Sequence, residues 1–324
     1  MSKAERRVVI TGLGVLAPNG HGLDAFSAAL REGRSGIRHH AHLEEAKFGC
    51  QVGGIPENVE QFQGQYLTDE ELFAMNANMI YAAIGSIDAW TDAGFEVPGL
   101  DGEADWDTGA IIGTGIGGID TISETLGPRV DAGKVRRLGS TMVEQIMSSG
   151  NSARIAGKLA LGNQVSTNSS ACNTGTEAII QAMQRIRNGH AVRMLAGGSE
   201  GHSHYIWAGF DAMRVLNRTK NDDPEAASRP LSASAAGFIP GSGAGVLMLE
   251  ELESAQARGA RIYAEILGGA LNCGGHRHGG SMTAPNPDSV QRCIRGALSD
   301  AGIAGSDVNA INGHLTATFA ALAS

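Results

Sequence analysis

The chain has 324 residues, a formal net charge of −9, 42% apolar residues and 18% charged ones. That composition supports a sizeable core and excludes an intrinsically disordered chain, and the acidic balance excludes a broad nucleic-acid-binding surface, so an acidic partner would need a local basic patch. The four cysteines, Cys50, Cys172, Cys273 and Cys293, are widely spaced with no C-x-x-C pair, which reads as free thiols in a reducing, cytoplasmic compartment. No apolar run approaches the roughly 18 residues of a membrane span, so membrane insertion is not expected. Strands are predicted at Arg7–Thr11, Ala110–Gly113, Gln164–Asn168, Val192–Ala196, Ala244–Leu249, Arg261–Gly268 and Val308–Ile311. Helices are predicted at Leu23–Arg31, Asn76–Ala93, Asn151–Lys158, Thr174–Asn188 and Pro287–Ala301. The alternation indicates an α/β fold with substantially parallel sheets covered by helices. The polar stretch Leu216–Ser234 reads as an ordered surface loop.

A faint repeat runs through this order. Asp88-Ala-Trp-Thr-Asp-Ala-Gly94 leads to Gly109-Ala-Ile-Ile-Gly113, and Arg295-Gly-Ala-Leu-Ser-Asp-Ala-Gly302 leads to Asn309-Ala-Ile-Asn-Gly313. The second unit stops about where its counterpart of the Gln164–Asn168 strand and following helix should begin.

Cys172 lies in Gln164-Val-Ser-Thr-Asn-Ser-Ser-Ala-Cys172-Asn-Thr-Gly-Thr-Glu177, between a predicted strand and a predicted helix. Thr174 and Glu177 form a capping-box pattern at the helix start. A thiol at such a junction faces the positive end of the helix dipole and the unpaired N–H groups of its first turn, both of which favour the thiolate. Its polar neighbours Asn168, Ser169, Ser170, Asn173 and Thr174 argue against a thiol packed in the core. His314 follows the Val308–Ile311 strand, whose counterpart ends at Gly113, and α/β sites gather at the carboxyl ends of strands. A Cys172–His314 pair would suit acyl transfer through a thioester, with the imidazole donating to developing negative charge.

Other motifs carry less. Gly12-Leu-Gly14-Val-Leu-Ala17 matches a dinucleotide fingerprint, but Pro18, Asn19 and Gly20 break the helix that would carry a pyrophosphate. Gly113-Thr-Gly115-Ile-Gly117-Gly118 lacks a P-loop lysine and reads as a close-packed turn beside an active site. Gly197-Gly-Ser199-Glu-Gly201 satisfies G-x-S-x-G and offers a rival, a serine α/β-hydrolase with Ser199, Asp222 and His314; no convincing helix follows Ser199. The histidine groups His39/His40/His42, His202/His204 and His276/His278 lack metal-site spacing, so no metal is expected. Arg136-Arg137 is a candidate dock for an acidic partner.

Five ordered segments, Ser170-Ala-Cys172-Asn-Thr-Gly175, Ala196-Gly-Gly-Ser-Glu200, Ala226-Ala-Ser-Arg-Pro230, Gly237-Phe-Ile-Pro-Gly-Ser-Gly-Ala-Gly245 and Ile311-Asn-Gly-His-Leu-Thr-Ala-Thr318, together resemble the β-ketoacyl-[acyl-carrier-protein] synthases, in particular synthase-II-type condensing enzymes. The resemblance covers Arg7 to Thr318. It implies a thiolase-like fold, layered α-β-α-β-α from two related halves, with residues 1–260 as the N-terminal half carrying the nucleophile. Residues 261–324 would begin a C-terminal half that is incomplete. It also implies a decarboxylative Claisen condensation of a Cys172-bound acyl chain with a malonyl unit on acyl carrier protein, in fatty-acid or polyketide-type elongation.

By the same resemblance, His314 would stabilise the enolate, Thr316 and Thr318 would bind the phosphopantetheine arm, and Phe210 and Ile116 would border the acyl chamber. Arg136, Arg137 and Arg214 would dock the carrier protein. No metal or dissociable cofactor is implied, and a homodimer is. The pattern departs from the family at Leu315, where glycine is usual, and at Ser232–Gly237. The residues after Thr318 do not supply the family's lysine, second histidine and late glycine-rich loop, so the expectation is that the 324-residue chain cannot complete the condensation alone. A non-catalytic partner that binds carrier protein or a synthase is the alternative from another class; Cys172 argues against it.

Overall fold

The computed structural model describes residues 5–281 and 286–318. They fall into two compact units. The first comprises residues 5–37, 54–207 and 241–266; the second comprises 38–53, 208–240 and the described residues from 267 onward.

The first unit is built on a mixed sheet. Its strands are β1 (Val8–Ala17) and β2 (Gly20–His21); β3 (Ile37–His39) and β4 (Val52–Gly54) form a separate ribbon, most of whose residues belong to the second unit. The sheet continues with β5 (Thr108–Gly113), β6 (Val165–Ser166), β7 (Arg193–Glu200), β8 (Gly243–Glu251) and β9 (Ala264–Glu265). The order across it is β2-β1-β8-β7-β5-β6, with β9 also on β1. β5 is parallel to β6 and β7, as the alternation predicted, whereas β8 runs antiparallel between β7 and β1. Every residue of β5 is buried, so its apolar run has no polar alternation.

Alternate residues of these strands feed two cores. Ala110, Ile112 and Leu195 pack with Ala82, Ala89 and Trp90 of the Ala77–Asp92 helix and Ile155 of the Gly150–Lys158 helix. Ile111, Met194 and Ala196 pack on the other face with Ala178, Ala182, Met183 and Ile186 of the Thr174–Arg187 helix. The period-2 strands and period-3.6 helices thus give an α-β-α sandwich.

β1 runs through Gly12 and Gly14 to Ala17 instead of ending at Thr11. The glycines serve close packing, because a Cβ on Gly14 would stand 1.8 Å from the Gly85 carbonyl oxygen and one on Gly12 2.1 Å from that of Ala89. They let the Ala77–Asp92 helix lie directly on the strand, and no helix follows them that would cradle a pyrophosphate.

In the second unit, the Asp211 carboxylate accepts the N–H groups of Gly49 (3.0 Å) and Cys50 (3.2 Å), and Arg218 lies against it. Buried Asn217 donates to the Ala227 carbonyl at 2.8 Å, which orders the loop predicted at Leu216–Ser234. The Pro287–Ala301 helix forms as predicted. It shares its punctuation with Ala77–Asp92: each starts on an asparagine N-cap, Asn286 or Asn76, and is followed by a glycine with positive φ, Gly302 or Gly94. The repeat breaks after that. Val308–Ile311 is not a strand, and Arg261–Gly268 shortens to the two residues of β9. Val308 and Ile311 are exposed and no described strand lies beside them to take ladder hydrogen bonds, so apolar β-branched character alone does not make a strand there. Among the described residues no helix is long and apolar enough to cross a membrane.

Candidate active site

The carboxyl ends of the parallel strands β5 and β7, at Gly113 and Glu200, open onto a cleft of about 480 Å³ that Cys172 also lines. This is where open α/β sheets place their chemistry. Cys172 is exposed. It is the middle residue of the 3₁₀ turn Ala171–Asn173, which runs straight into the Thr174–Arg187 helix. The thiol therefore stands at the N-terminal end of that helix, whose first-turn N–H groups have no intrahelical partners.

The turn is strained and clamped. Ala171 has φ 53°, a left-handed conformation uncommon for a residue with a Cβ. Thr174 holds it there: its hydroxyl donates to the Ala171 carbonyl at 2.6 Å and accepts the Ser170 N–H at 2.9 Å. Asn168 donates from Nδ2 to the Thr174 carbonyl at 2.9 Å. The predicted capping box is therefore not formed. Asn173 is the N-cap and makes no side-chain cap bond, the Thr174 hydroxyl points back into the turn, and Glu177 accepts from Gln181 Nε2 at 2.9 Å. Gly113 lets β5 end against this turn, since a Cβ there would lie 2.2 Å from Thr174 Cγ2.

Glu200, the last residue of β7, has a role that its motif Ala196-Gly-Gly-Ser-Glu200 does not reveal. Its carboxylate accepts the Thr114 hydroxyl at 3.0 Å and the Gly115 N–H at 2.8 Å, pinning the loop beyond β5. Burial pushes the Glu200 carboxyl above the usual range, against the downward pull of the Gly115, Thr114 and Ile116 hydrogen bonds. The signal was its place at the carboxyl end of an apolar strand next to glycines, where a charge is not explained by solvation.

The hydrolase reading is overturned. A helix, His204–Ala212, does follow this strand, contrary to the sequence expectation, but Ser199 lies within β7 and not at the turn; it is buried, and its hydroxyl donates to the Asn78 carbonyl at 2.9 Å. That proton is engaged in the core, and no imidazole among the described residues is hydrogen-bonded to it. His202 is likewise occupied, with Nδ1 3.1 Å from the Tyr81 hydroxyl. No group of three or more metal-ligating side chains occurs among the described residues.

The remaining candidates divide between the units. In the first, Ile116 follows the Glu200-pinned loop and is 46% exposed, and Arg136 and Arg137 are exposed in the 3₁₀ turn Val135–Arg137. In the second, His314 is exposed on an irregular segment instead of closing a strand. The Thr316 and Thr318 hydroxyls meet at 2.9 Å, and the Ala317 carbonyl between them accepts the Gly237 N–H at 2.9 Å. Phe210 packs edge-on against Phe238, ring centroids 5.1 Å apart. Arg214 is exposed with φ 58°.

Residues 5–255 match the family model of the β-ketoacyl synthase N-terminal domain, and residues 263–321 that of the β-ketoacyl synthase C-terminal domain. The chain belongs to the β-ketoacyl synthase family. Its relatives include 3-oxoacyl-[acyl-carrier-protein] synthase 2 of Synechocystis sp., 35% identical across 97% of this chain and 74% of the relative. Another is the chloroplastic 3-oxoacyl-[acyl-carrier-protein] synthase I of Arabidopsis thaliana, 35% identical across 98% of this chain and 66% of the relative. Among solved structures, a β-ketoacyl synthase from Burkholderia phymatum superimposes with a TM-score of 0.86 at 30% identity, covering 97% of this chain and 74% of that one. A type II PKS acyl-carrier protein in complex with its ketosynthase, AntDE:AntF, gives 0.83 at 29% identity, covering 97% and 74%. β-Ketoacyl synthases are condensing acyltransferases of thiolase-like fold, and the chain's α/β architecture is theirs.

Proposed function

We propose that this β-ketoacyl synthase elongates acyl chains by decarboxylative condensation, as a 3-oxoacyl-[acyl-carrier-protein] synthase with Cys172 as acyl acceptor. The observation that carries the reading is an exposed thiol, held by a clamped turn at a helix N-terminus, in a cleft at the carboxyl ends of parallel strands. In the first half-reaction Cys172 Sγ attacks the carbonyl carbon of a carrier-bound acyl thioester. The new S–C bond forms, the bond to the pantetheine sulfur breaks, and that sulfur departs as a thiol with the proton Cys172 gives up. A carrier-bound malonyl unit then loses carbon dioxide; its carbanion takes the acyl group, freeing the Cys172 sulfur and yielding the 3-oxoacyl product.

In this scheme His314 donates a hydrogen bond to the malonyl thioester oxygen as charge develops. Thr316 and Thr318 hold the phosphopantetheine arm, and Phe210 and Ile116 border the acyl chain. Arg136, Arg137 and Arg214 meet the acidic carrier protein. The substrates bring their own phosphopantetheine, so the scheme uses no metal or dissociable cofactor. A carrier-protein partner is supported by the solved neighbour in which a ketosynthase holds one. A cytoplasmic homodimer completes the reading.

Intact-mass analysis after incubation with acyl-carrier protein tests it. The expected result is one acyl adduct on the wild-type chain, mapped to Cys172 and absent from Cys172→Ala. Carrier-protein binding without an adduct would instead favour a non-catalytic partner.

A further inference from the structure

Both oxygens of Glu200 are committed as acceptors, Oε1 to the Thr114 hydroxyl and Oε2 to the Gly115 N–H. Thr114 has no alternative to donating. Its oxygen already accepts Asn78 Nδ2 at 2.9 Å and the Gly117 N–H at 3.2 Å, so both lone pairs are used and its single proton must go to Glu200. The position therefore demands an acceptor on each side, which an ionised carboxylate provides and an amide does not.

Thr114 and Gly115 pass this constraint on. The Thr114 N–H donates to the Asn168 carbonyl at 3.2 Å, and the Ser169 hydroxyl donates to the Gly115 carbonyl at 3.0 Å. Asn168 and Ser169 lead directly into the turn, and Asn168 also grips Thr174, which clamps Ala171. A continuous set of hydrogen bonds thus runs from Glu200 to the residues that aim the thiol.

We propose that Glu200 is a positioning residue for Cys172, setting through Thr114 and Gly115 the turn on which the thiol is presented. The inference rests on Cys172 being the nucleophile of the proposed function.

The test compares the 324-residue chain with its Glu200→Gln variant and, as a control, Asp105→Asn. The control breaks the Arg193 ion pair at the opposite, amino-terminal ends of the same strands. Two rates are measured, alkylation of Cys172 by iodoacetamide and acyl transfer from a carrier-bound thioester, together with Tm. Glu200→Gln is expected to slow alkylation about threefold or more and acyl transfer at saturating thioester roughly tenfold, with KM changed less than about twofold. Asp105→Asn is expected to lower Tm and leave both rates. Rates within about twofold of wild type in folded Glu200→Gln, or losses that track Tm equally in both variants, overturn the proposal. If wild-type Cys172 takes no acyl group, the proposed function fails, while the alkylation comparison still decides the positioning role. Should Glu200→Gln not fold, Thr114→Val removes the same hydrogen bond from the other side, and unchanged alkylation there is equally fatal.

Discussion

Thr174 carries more of the site than its type suggests, because one hydroxyl closes the turn in both directions, donating to Ala171 and accepting from Ser170. Thr174→Val keeps the shape and removes both bonds. It is expected to cost about 1 kcal/mol in denaturant titrations, the net worth of a typical hydrogen bond, since Ala171 is exposed and Ser170 only half-buried, and to slow Cys172 acylation; Thr174→Ser is expected to retain both properties. The exposed position of Cys172 was legible from its polar neighbours at a strand-to-helix junction. The direction of the Thr174 hydroxyl was not, since its choice between a cap and a back-bond depends on the left-handed Ala171 that only the folded turn imposes. Ser199 shows the converse: its G-x-S-x-G spacing is local, but the Asn78 carbonyl that engages its hydroxyl comes from a helix far away in the chain.

At the scale of elements, the contact between β1 and the Ala77–Asp92 helix depends on which partner lacks a side chain. Gly14→Ala would drive a Cβ to 1.8 Å from helix backbone that cannot move aside, and is expected to destabilise by about 1–3 kcal/mol or more. Gly85→Ala, across the same contact, would meet side-chain atoms at 3.3 and 3.4 Å while relieving a glycine in a helix interior. That relief is worth roughly 1 kcal/mol, so the variant is expected to be near neutral. Thermal unfolding of the two variants checks the asymmetry. The five predicted helices were readable to within a residue or two, because periodicity and asparagine and glycine punctuation are local properties, whereas the His204–Ala212 helix was missed. The Val308–Ile311 strand was misread for the matching reason: a strand is completed by its neighbours, and none of the described strands lies beside it.

For the molecule as a whole, stability and docking depend on charges in opposite ways. Burial would raise the Asp105 carboxyl, but the Thr108 hydroxyl bond and the Arg193 guanidinium outweigh it and hold the group below the usual range. Its stabilising contribution is thus present above the unfolded value, about 3.9, and is lost as pH falls through the lower folded one. Asp105→Asn is expected to flatten the acid limb of a Tm–pH profile. Glu200 has the other sign: its raised carboxyl favours the fold most below its unfolded value, and that contribution is lost as pH rises through the folded one. The chain's charge of −9 would repel an acidic carrier, so under the proposed function the exposed Arg136 and Arg137 would supply the local attraction. Reversing both to glutamate is expected to slow transfer from carrier protein and to weaken its salt dependence, with a much smaller effect on a pantetheine thioester.

By itself, the sequence determined the α/β class, the limits of the five longer helices it predicts, the junction at which Cys172 sits and the family, because periodicity, punctuation and ordered motifs are written along the chain. Tertiary structure alone decided the mixed strand directions, the role of Gly12 and Gly14 as a helix seat, the engagement of Ser199, and the line from Glu200 to Cys172. Each of those is a contact between residues distant in sequence, and its energy exists only when the backbone has brought both partners within bonding distance.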